Sequence, residues 1–198
     1  MSARDTHCTA FGIHPVPANL SKREFERKCE ALVESLLATP VAQRNFLKFD
    51  IIFQNEQLKE HITALEIPEP RPIVCLRVEY ETEDSWAECH RDPDYMKALD
   101  AGKSWGFHDD ACIFSAAKVS KGHPNAPRDS NVVVGIIKAP GHMSATEFQQ
   151  RLEGLIDAVY GAKKPAIKWH LYVQNMNAEE HLQAAGYPPV SAGPSYFG

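Results

Sequence analysis

The sequence predicts an α+β fold laid down twice, as two tandem copies of a β-α-β-β-α-β unit with the second copy incomplete. Three observations predict it. Thr9 to Leu37 aligns without a gap on Val132 to Tyr160. Each of those segments opens with a strand-forming run and passes into a helix with the same start signal. The first segment then continues through the remaining strand, strand, helix and strand.

The self-alignment sets Gly12, Ile13, Pro17, Ser21, Glu24, Phe25, Glu30 and Leu32 on Gly135, Ile136, Pro140, Ser144, Glu147, Phe148, Glu153 and Leu155. After a short deletion, Lys48, Gln54, Asn55, Glu60, His61, Ala64 and Pro68 meet Lys168, Gln174, Asn175, Glu180, His181, Ala184 and Pro188. Matches kept in order, together with the hydrophobic pattern, mark an internal repeat.

The first strands are Thr9 to His14 and Val132 to Ile137, rich in strand formers and followed by turn residues. Ser21-x-x-Glu24 and Ser144-x-x-Glu147 come next as capping boxes, in which a serine accepts from a free backbone N–H and the glutamate reaches back. Phe25, Cys29, Leu32, Val33, Leu36 and Leu37 then recur at helical spacing, as do Phe148, Leu152, Leu155, Ile156 and Val159. Second strands follow at Lys48 to Gln54 and Lys168 to Gln174. In these, Phe49, Ile51 and Phe53, and likewise Trp169, Leu171 and Val173, share the face assigned to the helices.

The first copy goes on with a short helix at Gln57 to Leu65 and a turn rich in proline. It ends with a strand at Ile73 to Tyr80, a helix at Asp84 to Leu99 and a strand at Phe107 to Val119. That order is the split ferredoxin-like unit. Residues 1–119 form the first repeat, 120–130 a linker of Gly, Pro and polar residues, and 131–198 a second, partial repeat. The second copy reaches Gly198 before its third strand, so the expectation is either a longer natural chain or a half that finishes differently.

Composition narrows the function. A formal charge of −5 opposes nucleic-acid binding, which needs an excess of Lys and Arg. No apolar stretch approaches the roughly 20 residues of a membrane span, and Met1 to Cys8 lacks the apolar core of a signal peptide. The five cysteines form an odd set without a CxxC pair, arguing against a disulfide framework or a cysteine-built zinc site. A cytoplasmic protein is expected.

With Asp92-Pro-Asp-Tyr95 followed by Trp105-Gly-Phe-His-Asp-Asp110, and with the strand-to-helix opening, the chain resembles the dimeric α+β barrel superfamily. The likeness is to its EthD-like and antibiotic-biosynthesis-monooxygenase-like branches, and it covers the first copy and the front of the second. It implies two sheets, from two chains or two fused repeats, closing around a small-molecule pocket, with a possible homodimer. So widely used a fold does not by itself name a chemistry.

One face of each sheet would line that pocket. His14, Asp50, Gln54, Arg77, Glu79, His108, Asp110, His170, Tyr172 and Gln174 are assigned to it as polar residues in apolar strands. Burying so many polar groups is unfavourable unless they bond to one another, to water or to ligand. A pocket explains the set, although a structural network between sheets would use the same residues.

His108 is the first choice for proton transfer, since Asp110 beside it would orient and tune the imidazole. Tyr80 is its candidate partner by analogy with cyclase-like relatives, although its parity places it with the helix-facing residues. His14, replaced by Ile137 in the second copy, suggests a pocket with one working end. Asp50, Gln54, Arg77, Glu79, His170, Tyr172 and Gln174 are the expected substrate contacts. His61 and His181 read as structural, and His90 as a surface residue.

The expected function is a cofactor-free enzyme moving a proton on a small apolar, aromatic or polyketide-like molecule: a cyclase, dehydratase, isomerase or monooxygenase. One alternative is an iron- or haem-dependent oxygenase, with His14, Glu79, His108 and His170 converging on the metal. Another is a non-catalytic binding or stress-response barrel. No phosphate loop or nucleophile elbow is present.

Overall fold

The computed structural model describes residues 7–56, 59–64, 71–122, 142–160 and 168–174. These divide into two compact units. Residues 7–117 lie in one, together with Gln174, and the described residues between 118 and 173 in the other.

The first unit starts with β1 (Cys8–Pro15), α1 (Lys22–Leu37), α2 (Pro40–Asn45), β2 (Phe46–Phe53), α3 (Lys59–Ala64) and β3 (Ile73–Tyr80). It continues with α4 (Glu83–Arg91), α5 (Pro93–Asp100), a 3-10 turn (Ala101–Trp105) and β4, which spans Cys112–Gly122 and so runs past the unit's edge. The strands order as β2-β3-β1-β4, all antiparallel. With the helices between β1 and β2 and between β3 and β4, this is the ferredoxin-like fold expected from the sequence.

Register decides the faces. Val74 pairs with His14 and Phe53, Leu76 with Gly12 and Ile51, and Val78 with Ala10 and Phe49. Directly opposed residues share a face. That face receives the helices: Phe25, Cys29, Leu32, Val33 and Leu36 of α1 form one core with Val74, Leu76, Cys89, Tyr95, Leu99 and Phe107. Phe49, Ile51 and Phe53 pack against it, on the side assigned from the sequence.

Local structure departs from expectation in four places. The helix expected over Asp84 to Leu99 breaks at Asp92, whose backbone is extended (ψ 123°) because the next residue is Pro93. The Asp92 carboxylate then accepts from the N–H groups of Asp94 and Tyr95, at 3.0 and 2.9 Å, and starts α5. The last strand begins at Cys112 rather than Phe107. Gly106, with φ +83°, ends the 3-10 turn, and Phe107 to Ala111 form turns with Asp110 also left-handed at φ 56°. An unanticipated α2 is nucleated by Thr39, whose hydroxyl accepts from Ala42 N–H, with Pro40 at the first helical position. Strand β4 continues to Gly122, into the stretch expected as linker; 123–130 lie outside the described residues.

In the second unit, α6 (Ala145–Tyr160) coincides residue for residue with α1 under the sequence self-alignment. Its cap repeats as well: Glu147 N–H donates to the Ser144 hydroxyl at 3.2 Å, as Glu24 N–H does to Ser21 at 3.3 Å. Strand β5 (Lys168–Gln174) matches the expected second strand. Leu155, placed on the buried stripe by its spacing, is 61% exposed. The strand expected at Val132 to Ile137 lies outside the described residues. No described helix is long and apolar enough to cross a membrane.

Candidate functional site

The register separates the expected site residues into two groups. Asp50, Arg77 and Glu79 share the sheet face away from the helices, as assigned, with Arg77 directly opposite Asp50 and Glu79 opposite Lys48. Asp50 is held from both sides, by Arg77 Nε at 2.8 Å and by Lys48 Nζ at 3.1 Å. Partial burial works against its charge, but the hydrogen bonds and charges of Arg77 and Lys48 outweigh that and hold the carboxyl below the usual carboxylate range. The Gln54 side-chain oxygen accepts from Ile73 N–H at 3.1 Å, tying the end of β2 to the start of β3. His170, Tyr172 and Gln174 lie on β5, and their side chains are outside the described residues.

His14 sits on the opposite face from its expected position. Strand β1 is central and buried on both sides, so hydrophobicity does not tell its faces apart; size does. The small Ala10 and Gly12 accompany His14 under the helices, while Phe11 turns to the other face and stacks on Phe114 at 5.4 Å. His14 is 2% exposed and lies flat on the Phe107 ring, with centroids 3.9 Å and planes 12° apart. Its Nδ1 is 2.8 Å from the Phe107 carbonyl oxygen. A carbonyl only accepts, so Nδ1 carries the hydrogen, and the neutral ring keeps an acceptor lone pair on Nε2. That nitrogen hangs over Gly12, where a Cβ would meet it at 2.7 Å. Burial pushes the imidazole down to about 4, partly opposed by the Phe107 bond and reinforced by the nearby His108.

His108 lies in the turn before β4 and not on the strand. Its Nε2 donates to the Leu99 carbonyl at 3.1 Å, and its ring meets Phe107 edge-on at 5.2 Å. Asp110 is exposed and pairs with Arg71 at 3.0 Å. Tyr80 is fully buried on the helix face, where its parity put it, and is stacked on Trp86 at 5.5 Å. Its hydroxyl has no hydrogen-bond partner among the described residues; Ser115 lies near but outside bonding geometry. Burial, followed by the neighbouring Cys8, raises its proton affinity. Tyr80 opposes Cys8 at the other end of β1, six residues from His14, or about 20 Å along a strand. Since His14 stacks on Phe107, next to His108, the expected pairing of His108 with Tyr80 is not formed.

A cavity of about 40 Å³ lies between the sheet and the helices. Gly12, His14 and Leu76 line it from the sheet, Trp86, His90 and Tyr95 from α4 and α5, and Phe107 from the turn. His90, expected at the surface, is half-buried: Nδ1 donates to the Trp86 carbonyl at 3.0 Å, and the ring packs on Trp86 at 4.4 Å and Tyr95 at 5.6 Å. Burial lowers its proton affinity also. Trp86, Tyr95 and Phe107 escaped the sequence reading because it sought polar residues on strands. The i, i+4 spacing of Trp86 and His90 on one helix face was the available signal.

The expected convergence of His14, Glu79, His108 and His170 on a metal does not form, since His14 and Glu79 occupy opposite faces of the sheet. Among the described residues, no group of three or more His, Cys, Asp or Glu side chains is placed to hold a metal ion.

No family model matches the chain, and no curated protein matches it. Among solved structures, it is similar to a dimeric protein of unknown function and ferredoxin-like fold from Bacteroides fragilis. The identity is 10% and the TM-score 0.43, over 57% of this chain and 97% of that one. It is also similar to SnoaB, a cofactor-independent oxygenase from Streptomyces nogalater, at 9% identity and TM-score 0.36, over 56% of this chain and 89% of that one.

Proposed function

We propose that the chain is an enzyme that moves a proton on a small, largely apolar molecule without a cofactor, and that His14 is the group that takes the proton. The observation that carries the reading is the state of that side chain. It is buried, neutral and locked as the Nδ1–H tautomer by the Phe107 carbonyl, and it keeps an acceptor nitrogen at an aromatic cavity. His14 Nε2 makes no hydrogen bond among the described residues, so its lone pair is available to a bound group.

The size of the cavity limits the pose. An apolar cavity of about 150 Å³ holds a benzene ring, whereas about 40 Å³ seats only the reacting end of a substrate. A base whose conjugate acid titrates near 4 is weak, so it takes a proton only from a strongly acidified position, such as a carbon between two carbonyls. His108 and Asp110 contribute by holding the turn that presents the Phe107 carbonyl, through Leu99 and Arg71. Asp50 and Arg77 satisfy each other on the far face, which suits a contact between sheets better than substrate capture. The repeated helix, cap and strand of the second unit support a barrel of two fused copies, of the EthD-like or monooxygenase-like kind, with homodimerisation as a further step.

The test is exchange of acidic C–H protons in D2O, followed by NMR over a panel of cyclic 1,3-diketones and hydroxyaromatics. Wild type should accelerate exchange of at least one compound, and His14→Phe, which keeps the stacking, should lose about a hundredfold. Equal exchange rates in wild type and variant would remove His14 from the reaction.

A further inference from the structure

The cavity's polarity is as informative as its size. Among the described residues lining it there is no lysine, arginine, aspartate or glutamate. Most of the wall is aliphatic or aromatic: Leu36, Leu76, Val78, Phe49, Trp86 and Phe107. Three polar side chains, His14, His90 and Tyr95, interrupt it. The His14 Nδ1–H is bound to the Phe107 carbonyl, so that the nitrogen left over is an acceptor. Offering an N–H to the cavity instead would cost the Nδ1–H bond to the Phe107 carbonyl.

We infer that this cavity selects neutral ligands bearing a hydrogen-bond donor, an O–H or N–H group, and rejects carboxylates and other anions. The inference rests on the proposed function and deepens it by naming the ligand's polarity. A carboxylate entering the cavity would bring its charge into a wall with no cation and set its lone pairs against that of Nε2, and both are unfavourable. At Nε2 a ketone or ether oxygen meets the same lone pair and gains no hydrogen bond there. A hydroxyl donates to Nε2, which makes no hydrogen bond among the described residues.

Three probes of similar shape separate these cases: phenol, which is neutral at pH 7, anisole, which lacks the donor, and benzoate, which carries the charge. Each is titrated into the full-length protein labelled with 15N-histidine, and the Nε2 resonance of His14, assigned by comparison with His14→Phe, is followed. Phenol is expected to shift that resonance and to bind about tenfold more tightly than anisole, the gap that one hydrogen bond provides. Benzoate is expected to leave it unmoved. If anisole or benzoate shifts it with an affinity equal to that of phenol, the donor selectivity is overturned while the cavity remains the site. If no probe shifts it, the cavity itself is overturned as the site, and the selectivity with it.

Discussion

Gly12 and His14 form a single unit at the floor of the cavity. An alanine at position 12 would place its Cβ 2.7 Å from His14 Nε2 and 3.7 Å from the Leu76 Cβ. The imidazole has nowhere to retreat, because the Phe107 carbonyl fixes one edge and the Phe107 ring one face. Gly12→Ala should therefore destabilise the protein by about 1–3 kcal/mol, the usual range for overpacking. The same substitution made in a His14→Ala background should cost far less. Urea unfolding of the two single variants and the double variant measures this, and an equal cost in both backgrounds would show that the two residues do not touch.

At the level of elements, the break between α4 and α5 shapes the cavity wall, since Trp86 and His90 come from one helix and Tyr95 from the next. Asp92 makes the break by capping α5 through two backbone N–H groups. Asp92→Ala should lower stability by about 1 kcal/mol, and Asp92→Asn, a comparable cap, should nearly restore it; thermal or urea unfolding compares the two. Much of this architecture was legible in the chain. The capping boxes at Ser21 and Ser144, the stripe of α1 and the alternation of β2 all reflect local chemistry that acts within a few residues. The break at Pro93 was legible too, from the rule that a residue before proline avoids helix, but the apolar spacing across it masked the signal. The faces of β1 were not legible. A central strand apolar on both sides carries no alternation, and only pairing with β3 shows that Gly12 and His14 lie under the helices. The site was harder still, because Trp86, His90 and Tyr95 of its wall are aromatic side chains on helices rather than polar ones on strands.

At the scale of the whole molecule, one capped helix and one strand of the first unit have counterparts in the second at the positions that the self-alignment predicts. The histidine proposed as the base aligns with Ile137 in the self-alignment. Its enclosure has a consequence for global stability. His14 is pushed down to about 4 in the folded protein, chiefly by burial, against an ordinary value of 6.5. Below 6.5 the unfolded chain binds the proton and the folded one does not, so stability from this group is complete above 6.5 and falls as pH drops towards 4. The unfolding free energy of wild type and His14→Phe, compared side by side from pH 7.5 to 4.5, reads this enclosure out. His90 and every carboxylate titrate in both proteins, so their difference isolates His14. The difference between the two should be constant above pH 7 and move in the variant's favour by roughly 2 kcal/mol at pH 5. Parallel curves across the whole range would mean that His14 titrates as it does in water, and that the enclosed, neutral acceptor on which the proposed chemistry depends does not exist.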